Sequence, residues 1–290
     1  DAKGGEIRRW GNPGLPFFPR SAVKMIQAAA WVSEGYALGN QASLEELSIA
    51  CGSHEGESFH VATVERWLAR IGLGEKDLEC GSHYPYFDPS AHELIRQGKK
   101  PCQIHNNCSG KHSGLLTACV AEGWPVAGYS NYDHPLQEKL RKTLGLFLGL
   151  DLAERPWGID GCGIPTYSIS LSSMARAMAL SADPSSLDSQ IQEAVGRLNA
   201  AVAARPLFIG GTDSFSSKVV AETGGRVLAK LGAEGVYGVW IPEAGLGIAV
   251  KCQDGNFRAS EAALTRVLAE LGYPLAFYSP LSLRWTGEAI

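Results

Sequence analysis

A chain of 290 residues with 45% hydrophobic and 19% charged residues can bury a substantial core and does not have the composition of a disordered protein. Its formal net charge of −4, with scattered basic residues, leaves no electrostatic footprint for nucleic acid. There is no signal-peptide pattern, and no apolar run reaches the roughly 18 residues of a membrane span, so neither membrane nor secretion is indicated.

Seven cysteines, an odd number without regular spacing, argue against a disulfide scaffold and for a reducing, cytoplasmic setting with free or metal-bound thiols. Asp1-Ala2-Lys3-Gly4-Gly5 reads as a hairpin turn, with Glu6 to Trp10 as its second strand and the pairing strand expected upstream of residue 1. A loop follows over Gly11 to Pro19, after which Ser21 is placed to cap a helix running to about Ser33. Ser43-Leu44-Glu45-Glu46 is a capping-box start for a short helix ending near Cys51-Gly52. Val61, Val64, Leu68 and Ile71 recur at helical spacing, predicting an amphipathic helix over Ser58 to Ile71. Further helices are expected over Cys108–Glu122, Leu136–Leu148, Ser168–Ser181 (Met174 and Met178 facing the core) and Leu187–Ala204.

The period then changes. Arg226–Leu231, Val236–Ile241 and Leu246–Cys252 are short, Val/Ile-containing and separated by Gly or Pro, the pattern of consecutive antiparallel strands. Ser260–Leu271 returns to helix. This order is α+β rather than repeated βαβ, and it predicts one sheet built from both chain ends beside a helical middle. The whole chain is then one unit, with a sheet part about 1–20 and 226–290 and a helical part about 21–225.

Five segments carry chemistry. In Pro19-Arg20-Ser21-Ala22-Val23-Lys24 a hydroxyl and an amine stand three residues apart, just under one helical turn, so they share a face. A desolvated lysine can lose its proton and take one from such a serine, although about one Ser-x-x-Lys is expected by chance. Cys51-Gly52-Ser53-His54-Glu55-Gly56 places a second serine between glycines, in a loop that also reads as a plain helix C-cap. Asn106 to Gly114, with Cys108, Lys111 and His112, packs small, polar and ionisable residues at a helix start, where a thiol gains acidity. Gly158 to Thr166 restricts Asp160 and Cys162 in a glycine-flanked loop. Cys108 and Cys162 are a candidate thiolate pair for zinc; for the third ligand His112 is the ordinary choice, whereas Lys111 would bind as a neutral amine. Lys230, in Ala229-Lys230-Leu231-Gly232-Ala233-Glu234-Gly235, lies either along a cleft or on the solvated face of an edge strand.

In order and spacing, these five segments resemble the zinc-containing, rhizobial-type (thermolabile, class 3) L-asparaginases through residues 6 to 271. Cys108-Ser109-Gly110-Lys111-His112-Ser113-Gly114 is the specific signature; Ser-x-x-Lys is not. The resemblance implies a fold like the serine β-lactamases and glutaminases, and two Ser–Lys pairs. Ser21 would be the nucleophile with Lys24 as base, and Ser53 with Lys230 would relay protons or orient the first pair. It further implies zinc on Cys108, Lys111 and Cys162, with Arg20, His112 and Asp160 contacting substrate or fixing water. Arg20 suits a free α-carboxylate by its charge and fork of donors. The implied reaction is hydrolysis of L-asparagine to L-aspartate and ammonia by a homodimer. A glutaminase or other serine amidase of the same fold, or an inactive zinc-stabilised binding protein, are the alternatives.

Overall fold

The computed structural model describes residues 1–35 and 41–278. The last part of the expected sheet region, residues 279–290, lies outside the described residues.

At the centre of the helical part is α1 (Lys24–Val32), every residue of which is buried, Lys24 and Gln27 among an otherwise apolar, Ala-rich set. It is enclosed by α2 (Leu44–Ala50), α5 (Ser109–Glu122), α6 (Pro135–Leu148) and α8 (Ser189–Ala204). Outside this layer lie α3 (Ser58–Arg70), whose Trp67 ring meets Trp31 of α1 at 6.0 Å, and the short α4 (Asp88–Arg96). The capping box at Ser43 forms as its sequence predicts: the Glu46 amide donates to the Ser43 hydroxyl, and the Ser43 amide to the Glu46 carboxylate. Helices α5 and α6 both stop at a left-handed glycine, Gly123 and Gly149.

The main sheet is three consecutive antiparallel strands, β5 (Leu228–Gly232), β6 (Val236–Ile241) and β7 (Leu246–Lys251). Strand β6 is buried throughout because both faces are covered. Tyr237, Val239 and Ile241 face α9 (Phe215–Glu222) and α10 (Phe257–Glu270), joining Phe215, Leu264 and Leu268 in one apolar cluster. Val236 and Trp240 belong to the larger core on the other side, where α7 (Leu171–Ala182) lies across β6 and β7. Met174 and Met178 are fully buried in this layer. Helix α7 comes very close to the sheet: a Cβ at Gly247 would stand 2.0 Å from the Ala179 amide nitrogen and 2.3 Å from the Ala175 carbonyl oxygen. Only glycine fits there.

The α+β order and the three C-terminal strands agree with the sequence, but the sheet does not draw on both chain ends. Asp1 and Gly4 form the expected turn through a 3.0 Å backbone hydrogen bond. Glu6 to Trp10 is exposed and forms no strand, because no described segment pairs with it. The N-terminal region contributes only β1 (Pro16–Phe17), paired with β4 (Ile169–Ser170). A second small pair joins β2 (Trp157–Ile159) to β3 (Pro165–Tyr167) around the Asp160–Cys162 loop. Helices α4 and α9 were not legible in the sequence: each is short, at nine and eight residues, and α4 buries no residue.

Gly247→Ala is expected to lower stability by about 1–3 kcal/mol through overpacking against α7, read from the urea midpoint at unchanged slope.

Candidate active site

A cavity of about 520 Å³ is lined in part by Arg20, Ser21, Ser53, Cys108, Asp160 and Cys162, residues from four distant stretches of the chain. Each stretch arrives by a distinct local device.

Ser21 lies inside a 3-10 turn, Arg20–Val23, and does not cap α1, whose N-cap position is Val23 without a side-chain bond. The turn begins at Arg20 with φ +52°, a left-handed conformation uncommon for a residue with a Cβ. Strand β5 packs directly on this turn. The approach needs glycine at 232, since a Cβ there would sit 2.4 Å from the Pro19 carbonyl oxygen and 3.1 Å from the Ala22 amide.

Ser53 is held in an extended segment by backbone bonds on both sides. Its amide donates to the Ile209 carbonyl at 3.0 Å, the Glu55 amide to Gly210 at 2.8 Å, and the His54 amide to Asn107 at 3.0 Å. His54 adds a buried side-chain tie: Nδ1 accepts the Gly56 amide, and Nε2 meets the Ser109 hydroxyl at 2.8 Å. The Ser109 hydroxyl in turn donates to the Ile104 carbonyl, so Nε2 of His54 carries the proton. Burial pushes this histidine well below its ordinary pKa, which fits a neutral ring.

The two lysines meet at this serine. Lys24 Nζ donates to Ser53 Oγ at 2.9 Å and to the Gly52 carbonyl at 2.6 Å. Lys230 Nζ lies 2.8 Å from the same Oγ and donates to the Leu231 carbonyl at 2.6 Å. Both are buried, Lys24 at 1% and Lys230 at 0% exposure. Lys230 is on the edge strand β5 but not on a solvated face, because its partner across the ladder is Gly238, on the side of β6 that looks into the main core. Burial, and then the charge of Lys24, hold the Lys230 amine well below its usual range. Ser21 lines the same cavity but makes no side-chain hydrogen bond among the described residues. The three-residue spacing to Lys24 points to a Ser21–Lys24 contact; the 3-10 turn instead leaves the lysine free to reach Ser53.

Beside this cluster, Cys108 opens α5 and Cys162 comes from the β2–β3 loop; both are buried and free. Lys111 Nζ donates to Cys162 Sγ at 2.9 Å. A hydrogen bond from Cys162, and the charges of Lys24 and Lys111 against the opposing burial, draw Cys108 well below the ordinary thiol range. Burial works against the Lys111 ammonium, yet the Cys162 and Cys108 sulfurs outweigh it and raise its pKa. The set therefore pairs a sulfur drawn toward thiolate with an amine drawn toward its charged form. Among the described residues no three His, Cys, Asp or Glu side chains cluster as metal ligands, so a third donor for a metal on these sulfurs has to be of another type. Lys111 is in contact, whereas His112 is turned to Tyr129, its Nδ1 lying 2.6 Å from the phenol oxygen. That oxygen also accepts the Glu79 amide, and His112 Nε2 is buried without a hydrogen-bond partner among the described residues.

Arg20 is shared between two carboxylates. Its Nε donates to Asp160, and one terminal nitrogen to Glu234 at 2.9 Å. Burial opposes the Arg20 charge, but the Asp160 hydrogen bond and both carboxylates outweigh it and raise its pKa. Asp160 is also oriented by the Gly161 amide at 2.8 Å. Of the ten residues singled out from sequence, Arg20, Ser21, Ser53, Cys108, Asp160 and Cys162 line the cavity, Lys24 and Lys230 bond to Ser53 and Lys111 to Cys162, whereas His112 is buried against Tyr129 and does not line it. Glu55, Asp213, Tyr237 and Glu261 also line it and were not singled out. Glu55 alone had a signal, lying inside the glycine-flanked Ser53 motif.

Buried amines gathered on one serine, beside two free cysteines at the wall of an open cavity, have the arrangement of an enzyme site rather than of core packing. The chain belongs to the L-asparaginase II family, whose model matches residues 1–279. It is thus an asparaginase-type amidohydrolase with a small-molecule substrate. No match was found among curated proteins. No described helix is long and apolar enough to cross a membrane.

Ser53→Ala removes the acceptor shared by two buried amines and is expected to lower stability by about 1–3 kcal/mol in urea unfolding. An unchanged midpoint would mean that Ser53 is not their anchor.

Proposed function

We propose that the protein hydrolyses L-asparagine to L-aspartate and ammonia through an acyl-enzyme on Ser21. The observation that carries this reading is the pair of buried lysine amines gathered on Ser53 in the cavity that Ser21 lines. Lys24 serves as the base for Ser21, and Ser53 connects it to Lys230. A neutral Lys230 nitrogen has the lone pair needed to accept a proton passed along Ser53. The Ser21 oxygen attacks the side-chain amide carbon, its proton passing to the amine cluster, and backbone N–H groups of the Arg20–Val23 turn stabilise the oxyanion. Collapse breaks the C–N bond as the cluster returns a proton to nitrogen, releasing ammonia. Water then cleaves the ester, its hydroxyl going to the acyl carbon and its proton back to the serine oxygen. Arg20 takes the substrate α-carboxylate in exchange for Glu234, whose side chain is 68% exposed and easily displaced. His112 keeps the role the resemblance implies, contacting substrate or fixing water, and its buried Nε2 has no partner among the described residues.

Zinc fits the Cys108–Lys111–Cys162 set on donor chemistry: two soft sulfurs, one inclined to thiolate, converge with a nitrogen that would lose its proton on binding. When bound, zinc would supply Lewis-acid polarisation of an oxygen at the cavity wall. A 3-10 turn carrying Ser21 that leads into the helix of Lys24, packed beside an antiparallel sheet that carries the second lysine, supports the β-lactamase and glutaminase likeness. The seven free cysteines support a reducing, cytoplasmic setting. A homodimer is the expected assembly, checked by light scattering.

One observation favours a second reading. Both amines bond to Ser53 and neither to Ser21, which would make Ser53 the nucleophile. Trapping with a diazoketone analogue of asparagine followed by peptide mapping separates the two. The label is expected on Ser21, and Ser21→Ala is expected to reduce kcat by at least about 10³-fold while the fold persists. A label on Ser53 would reverse the roles, and full activity in Ser21→Ala would remove that residue from the chemistry. Glutamine and nitrocefin assayed alongside asparagine identify the amide accepted.

Metal analysis is expected to find about one zinc per chain, lost in Cys108→Ser and in Cys162→Ser. Purified protein with no zinc and no affinity for it would end the metal assignment.

A further inference from the structure

Two histidines bracket the turn that carries the chain from Ser53 into α3: His54 directly after the serine, and His60 in the first turn of the helix. Neither enters the hydrolytic scheme above, and neither is among the residues that line the cavity. Both are fully buried, where an imidazole is costly unless both of its nitrogens are met.

They are met on both rings, and in the same sense. Nδ1 of His54 accepts the Gly56 amide and Nδ1 of His60 accepts the Glu57 amide, each at 3.2 Å. A backbone amide can only donate, so the proton of each neutral ring stands on Nε2. From there His54 donates to the Ser109 hydroxyl at the start of α5 at 2.8 Å, and His60 to the Leu207 carbonyl at 3.0 Å. The two rings stack, with centroids 5.1 Å apart and planes 26° from parallel. Phe208 closes on His60 edge-on at 5.7 Å. Burial pushes His60 down to about 4 and His54 well below its ordinary range, which fits two neutral rings. The supports they reach are the ones that already hold the serine: the Ser53 amide bonds to Ile209, in the 3-10 turn Pro206–Ile209, and the His54 amide to Asn107, just before α5.

We propose that the stacked His54–His60 pair is a positioning device for proton transfer: it fixes the start of α5 against the Pro206–Ile209 turn and so holds the Ser53 hydroxyl between the Lys24 and Lys230 amines. This rests on the asparaginase reading with its serine–lysine relay, and adds to it two residues that act through Ser53 without touching substrate. A proton passed along Ser53 crosses contacts of 2.9 Å to Lys24 and 2.8 Å to Lys230, and a displaced hydroxyl interrupts both. The two successive amides at Gly56 and Glu57 leave the turn no slack, because each is received by a ring that is itself anchored at its far end.

Kinetics on L-asparagine with three variants test this. His54→Asn keeps an acceptor for the Gly56 amide but is too short to reach Ser109, and His60→Asn likewise loses Leu207. Each is expected to reduce kcat by about 10–100-fold, the cost of a misplacement on the order of 1 Å, with KM held within about twofold. His54→Gln restores an N–H at the place of Nε2 and is expected to recover part of the loss. A merely structural role would lower the urea midpoint and leave kcat of the folded enzyme unchanged, and that result overturns the proposal, as does a loss carried by KM alone. Should the variants fail to fold, the wild type decides. Long-range nitrogen–proton correlation NMR at neutral pH is expected to show both imidazoles protonated on Nε2 only, and a proton on Nδ1 of either ring removes the clamp. A wild type that does not turn over asparagine would end the asparaginase reading and this proposal with it; turnover retained in all three variants ends this proposal alone.

Discussion

Two lysine amines buried on one serine oxygen are the constraint around which the rest of this structure is arranged. Taking an ammonium out of water is expensive unless its donors are met or its proton is given up. Here both solutions operate. Each amine donates to a backbone carbonyl, Lys24 to Gly52 and Lys230 to Leu231, and both share Ser53. Two cations so close cannot both remain comfortable, and Lys230 is the one drawn toward neutrality. A neutral amine bonded to a hydroxyl is a proton acceptor already in place, so the electrostatic difficulty of the fold is also its chemical resource.

Bringing the amines together sets demands on three elements. Helix α1 must be central, which its all-round burial achieves. Strand β5 must pass against the Arg20–Val23 turn, which glycine at 232 permits. The Ser53 segment must be immobile, which its backbone bonds to 107, 209 and 210 and the His54 tie to α5 secure. That tie ends at Ser109, next to Cys108, so the thiol set and the serine–lysine cluster share one rigid support. The two non-glycine residues with positive φ among those described, Arg20 and Glu234, are ion-paired to each other across the cavity edge. Backbone strain is concentrated where the chain presents its charged rim.

Much of this was legible along the chain. The Ser43 capping box, the periodicity of Val61 to Ile71 and the Val/Ile runs of β5 to β7 are local signals, and local hydrogen bonding or a single covered face suffices to realise them. The cysteine, glycine and lysine motifs likewise singled out ten candidate residues, through resemblance more than through spacing, and six of them line one cavity. The failures were tertiary in origin. Glu6 to Trp10 follows a hairpin-like turn but has no ladder partner among the described residues. Ser21 has the chemistry of a helix cap, but the left-handed Arg20 starts a 3-10 turn instead. Lys230 on an edge strand reads as solvated until the Arg20–Val23 turn covers it.

The sequence by itself determined the α+β order, the helices with their caps, the run of three antiparallel strands and the residue types that could do amide chemistry. Those depend on neighbours within a few positions, where geometry follows from periodicity and capping. Which hydroxyl the amines would share and which lysine would be drawn toward neutrality were decided only by tertiary structure. Residues as far apart as Ser53 and Lys230 acquire their chemistry from burial and from each other's charge, and neither exists until the chain has closed around them.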